Sequence, residues 1–153
     1  MDMQSAWQQA GFSIDNDKSK LDIALIHAEL SASYWAVGIP RGTVERAIAN
    51  SLCFGVYEHD VQVGFARVIT DSSTFAYLAD VFIVDTHRGR GLAHWLVSVI
   101  RQHPDLQGLR RWLLMTRDAH SLYAPHGFSP LAAPEKAMEI ADPDVYRRAA
   151  ATP

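Results

Sequence analysis

The apolar and polar positions change period several times along the chain, and those changes predict its elements. Gly11–Asp15 reads as a short strand. Ser19-Lys20-Leu21-Asp22 offers a Ser-x-x-Asp helix start, and Leu21, Leu25, Ala28, Ile26 and Leu30 keep helical spacing toward Tyr34-Trp35. Gly38-Ile39-Pro40 breaks that helix, and Pro40 suits the start of a second one running to about Asn50. Three strands follow: Leu52–Tyr57, Val61–Thr70 and Thr74–Val84. Glu58-His59-Asp60 and Asp71-Ser72-Ser73 connect them, and connections this short imply an antiparallel meander. The period then switches. Leu92, Trp95, Leu96 and Val99 recur at i, i+3, i+4 and i+7, the stripe of an amphipathic helix that ends before Pro104. Arg111–Met115 looks like a buried strand, Asp118–Ala124 like a short helix, and Gly127-Phe128 like the start of a final hairpin that includes Ala137–Ile140.

This order predicts an α/β (α+β) fold, a mixed and mostly antiparallel sheet of about seven strands flanked by about four helices. At 153 residues the chain is expected to be one domain over 1–153, with a core over about residues 11–140 and a tail, frayed or disordered, over 141–153. Hydrophobic residues make up 48% and charged residues 20%, which excludes a disordered chain. The net charge of −3 and the lack of aromatics interleaved with basic residues argue against nucleic-acid binding. A single Cys53 excludes an internal disulfide. No 18-residue apolar run and no signal-peptide pattern are present, so no membrane partner and a cytoplasmic setting are expected.

Candidate chemistry begins at His87–Trp95, HRGRGLAHW, where a strand runs into a helix. The free amides of a first helical turn and the helix dipole make such a place hospitable to an anion. Gly89 and Gly91 leave room for close approach, and Arg88 and Arg90 add donors. Alone, the turn reads equally well as a solvated connection. It lacks both the GxGxxG dinucleotide fingerprint and the GK[ST] of a P-loop. The seven histidines include no HxxxH or HExxH pair, so no metal site is expected. Ser121 and Ser129 have no His/Asp partners readable from spacing, which leaves a hydrolase triad unsupported.

The segment VFIVDTHRGRGLAHWLVSVI resembles the signature region of the GNAT superfamily of N-acetyltransferases, in which a strand enters an Arg/Gln-x-x-Gly-x-Gly/Ala turn and then a helix. Arg88 to Ala93 fill that turn, and Leu122-Tyr123-Ala124-Pro125-His126-Gly127-Phe128 is similar to the family's second signature, LYxxxGF. The resemblance spans essentially Gly11 to Ile140 and implies transfer of an acetyl group from acetyl-CoA to a primary amine, in a ternary complex. It implies that the amides of Arg88, Gly89, Arg90, Gly91, Leu92 and Ala93 hold the CoA pyrophosphate. The main chain of Phe82, Ile83 and Val84 would pair with the pantetheine arm in a wedge between Thr74–Val84 and Arg111–Met115. Thr116, Asp118 and Ala119 stand where the family often carries an Asn, which is absent here. Tyr123 matches the family's frequent general acid beside the CoA sulfur.

Asp80, the one acid within Thr74–Val84, is the candidate base, with a water-mediated path as rival; the alternative is a buried carboxylate satisfied by amides or by Arg67. Simple alternation puts Asp80 on the face of Leu78 and Phe82. Glu29, Tyr34, Trp35, Phe75 and Tyr77 are the candidates for contacts with the acceptor, a small-molecule or protein amine. Homodimerisation stays open. The rival function is a non-catalytic acyl-CoA-binding sensor.

Overall fold

The computed structural model describes residues 6–151. Six strands form one mixed sheet in sequential order: β1 (Gln8–Gln9), β2 (Phe12–Asp15), β3 (Leu52–Glu58), β4 (Val61–Thr70), β5 (Phe75–Ile83) and β6 (Arg111–Leu114). Neighbours from β1 to β5 run antiparallel, and β6 joins β5 in parallel. The helices are α1 (Ile23–Ala32), α2 (Arg41–Ala49), α3 (Leu92–Arg101), α4 (His120–Tyr123) and α5 (Val145–Ala151).

Turn chemistry builds the central meander. His59 and Ser72 take left-handed backbone in the β3–β4 and β4–β5 turns. Asp71 gathers the amides of Ser73, Thr74 and Phe75 and the Thr74 hydroxyl, a set of donors that holds its carboxyl well below the usual carboxylate range. The sheet separates two apolar layers. Phe54, Val56, Val68, Leu78 and Ile83 pack with Leu96, Val97 and Ile100 of α3 on one face. Cys53, Phe65 and Phe82 pack with Ile26, Leu30, Val44 and Ile48 of α1 and α2 on the other.

Three expectations are corrected. Asp22, not Ser19, caps α1, accepting from the Leu25 amide at 3.0 Å; Ser19 lies in a separate single-turn helix whose cap is Asp17. β6 is a half-buried edge strand rather than a buried one. The final hairpin does not form: Ala137–Ile140 has no strand partner, so the sheet has six strands rather than about seven. Pro130 and Pro134 turn the chain after Phe128, and the segment that follows leads to α5, whose Tyr146 packs with the α1–α2 layer.

Candidate active site

The break that makes the site lies in β5. Phe65 of β4 faces Phe82, yet Arg67 faces Ala79, so β5 carries one residue more than β4 over this stretch. The extra residue is Asp80, whose φ of 57° puts it in the left-handed region. Such a bulge resets the side-chain alternation. Leu78 and Ile83 therefore face the α3 layer while Phe82 faces the α1–α2 layer. The shared face of Leu78, Asp80 and Phe82 expected from simple alternation is thus lost.

Asp80 instead meets two partners. Trp35 Nε1 donates to Oδ1 at 2.9 Å and Arg67 Nε donates to Oδ2 at 2.8 Å. Arg67 also donates to the Ser51 hydroxyl at 3.2 Å, and both members of the pair are largely buried. The link ties the loop between α1 and α2 to the floor of the sheet. A second tie closes the other flank: the Arg117 amide donates to the Tyr34 hydroxyl at 2.9 Å, and the Arg117 guanidinium sits 3.9 Å over the Tyr34 ring. Tyr34 and Trp35 meet edge to face at 5.1 Å.

Between these ties lies a cleft of about 380 Å³. Tyr34, Trp35, Tyr77, Asp80, Thr116, Asp118, Ala119 and Tyr123 all line it, so the fold brings these sequence candidates together. Glu29 and Phe75 do not line it: Glu29 lies on α1, and Phe75 starts β5 opposite Arg111. Tyr123 is 9% exposed and packs edge-on to Phe128 at 5.9 Å. Burial, with a smaller contribution from Tyr34, pushes its phenol up to about 12, so it carries its proton throughout the neutral range. The sequence missed Tyr146, which reaches the cleft from α5. The tail expected to fray is a helix, and the acidic Asp142-Pro143-Asp144 start was the available signal: the Val145 and Arg148 amides bond back to Asp142 and Asp144 carbonyls.

β6 pairs with β5 only from Phe75 to Leu78, so Phe82 and Ile83 have no strand on that edge. The strands split like a wedge here. The Arg88 side chain does not reach toward an anion: it donates to the Ile83 carbonyl at 3.0 Å and pairs with Asp85. The loop beyond is open. Gly89 and Gly91 have φ of 78° and 77°, and a Cβ on either would meet nothing within 4 Å. α3 begins at Gly91 with no side-chain cap, and among the described residues the amides of residues 89–94 find no acceptor. A row of unpaired amides at a ten-residue helix fits a phosphate-bearing group. Past β6, Thr116 Oγ1 accepts from the Ala119 amide at 3.0 Å and Asp118 pairs with Arg117, so that turn is satisfied internally.

A family model for the acetyltransferase (GNAT) domain matches residues 49–130. The crystal structure of a Xanthomonas campestris pv. campestris protein, described as a GNAT-family acetyltransferase, superimposes with a TM-score of 0.88 at 50% identity, covering 91% of this chain and 99% of that one. A Gibberella zeae protein named as an acetyltransferase is 32% identical across 76% of this chain and 78% of its own length. A Clostridium acetobutylicum protein crystallised with acetyl-CoA shares the fold at a TM-score of 0.63 and 14% identity, over 85% of this chain and 96% of that one.

Proposed function

The chain belongs to the GNAT acetyltransferase family, and from that premise we propose that it moves the acetyl group of acetyl-CoA to a primary amine of a small molecule or an exposed protein, with both substrates bound together. One observation carries the reading: a single cleft runs from the β5–β6 split to the aromatic loop after α1, with the protonated Tyr123 phenol in its wall. Bound acetyl-CoA supplies an activated thioester. The amides of Arg88 to Ala93 hold the pyrophosphate, and the free main-chain edge at Phe82, Ile83 and Val84 aligns the pantetheine arm. Thr116, Asp118 and Ala119 border the arm through their main chain, since their side-chain groups serve the turn. Tyr123 Oη holds a proton for the departing sulfur.

Tyr34, Trp35 and Tyr77 frame the acceptor. An alkylammonium must lose a proton before it attacks. Asp80 can receive that proton only by releasing Arg67 or Trp35, so the proton leaves through water and Asp80 orients Trp35. This occupied carboxylate is also what favours the rival reading, a sensor that binds acyl-CoA without turnover.

Thiol release from acetyl-CoA, followed against a panel of small amines and lysine peptides, separates the two. Turnover is expected, and Tyr123→Phe should lower kcat roughly a hundredfold with little change in the KM for acetyl-CoA. Tight CoA binding without turnover across the panel would establish the sensor instead.

A further inference from the structure

The outer edge of β6 is open, and an apolar groove of about 320 Å³ runs along it. Trp112, Leu114, Phe128 and Leu131 line this groove on the α4 side of the sheet. Arg111, whose side chain alternates to the opposite face from Trp112 and Leu114, is exposed there. Among the described residues neither Arg110 nor Arg111 has a partner for its guanidinium. No carboxylate lines the neighbouring cavity, which Arg101, Arg110 and Arg111 dominate.

The same chain carries the complement of that edge, away from it. Met138 and Ile140 are 98% and 104% exposed, the extreme values for large apolar side chains in the structure. They lie in the unpaired stretch Ala137–Ile140, which has the strand alternation noted in the sequence. Glu139 between them has no partner among the described residues. Extended backbone puts Met138 and Ile140 on one face and Glu139 on the other. An open edge strand is itself a template for pairing with another chain.

We propose that the missing neighbour of β6 comes from a second copy of this chain: Ala137–Ile140 of one protomer adds to β6 of its partner, and the exchange is reciprocal. Face and charge agree in this arrangement. When Met138 and Ile140 enter the groove beside Trp112 and Leu114, Glu139 falls on the Arg111 side of the sheet. The chain's own copy of the segment is drawn off by the prolines before it and by the anchored Tyr146 after it. Reciprocal use of one edge and one segment closes as a twofold dimer, without leaving an open edge to propagate. The shared strands would also stiffen β6, one wall of the cleft described above.

Sedimentation equilibrium of the full chain tests this. A mass twice the 17.0 kDa of one chain is expected at micromolar concentration. Ile140→Glu should return it to single-chain mass. Arg111→Glu should weaken the dimer roughly tenfold, and adding Glu139→Arg to that variant should restore it. All three positions are exposed, so circular dichroism should show each variant folded. A wild-type chain that stays monomeric overturns the proposal, whether residues 137–140 then pair in cis, seen as slow amide exchange, or the arginines take phosphate instead. A dimer indifferent to these substitutions overturns it as well.

Discussion

His103 shows how one side chain can tie stability to pH. It is 8% exposed, its ring lies 5.7 Å from Phe54 and 5.9 Å from Trp7, and its Nδ1 accepts from the Asp105 amide. An accepting Nδ1 is the neutral imidazole, and burial pushes the pKa below the ordinary 6.5, with Asp105 pulling weakly the other way. The folded protein therefore takes up this proton less readily than the unfolded chain. Stability is intact above pH 6.5 and falls as pH drops from there through the lowered native value. Thermal melts between pH 7.5 and 5.5 should show a shallower acid limb for His103→Gln than for the wild type, even though the variant starts lower. At this scale sequence reading found the residues whose chemistry is unusual for their surroundings. Tyr123 and Asp80 stood out as a phenol in a motif and a lone acid in an apolar strand. Tyr146 did not, because an aromatic near a chain end carries no mark of what it will pack against.

The elements were legible where local periodicity and the final packing agree. α3 buries Leu92, Leu96 and Val99, the stripe its spacing announced, and the β3–β5 meander follows its short turns. They were misread where a long-range partner decides. β5 continues past the end of β6, a fact that belongs to the pairing of two segments some thirty residues apart. Ala137–Ile140 alternates like a strand and has no strand beside it in its own chain. The anion turn permits a direct test at this level. Gly91→Ala places a Cβ in open space but keeps a left-handed residue, costing about 1–2 kcal/mol of stability. Its new methyl projects near the row of amides proposed to hold pyrophosphate. Calorimetry with CoA should show an affinity loss larger than the loss in denaturant stability implies.

Across the whole molecule, the cleft is a meeting of parts that lie far apart in sequence. The loop after α1, the bulge in β5, the turn after β6 and α5 each contribute one wall. The parts touch through a few specific bonds, Trp35 to Asp80 and Arg117 to Tyr34. Acceptor and donor contacts should therefore separate in kinetics. Tyr146→Ala is expected to raise the acceptor KM several-fold and leave the acetyl-CoA KM unchanged, because α5 borders only the aromatic end. Equal effects on both constants would mean that the helix supports the fold rather than the acceptor.

The bulge in β5 has a consequence for chain length. Leu78, Val81 and Ile83 pack in one layer while Phe82 packs in the other. Counted without Asp80, the strand alternates perfectly. The acceptor anchor is thus an insertion that the core does not need, and a shortened chain should tolerate its removal. Deleting Asp80 leaves Arg67 buried without its anion, so the deletion belongs with Arg67→Met. That pair of changes should yield a protein that melts cooperatively and still binds CoA, but acetylates poorly because nothing holds Trp35. Deleting Val81 instead would put a carboxylate into the α3 layer, and that chain should not fold. Two deletions at adjacent positions, one tolerated and one not, would show that the enzyme's specificity entered its sheet as one added residue.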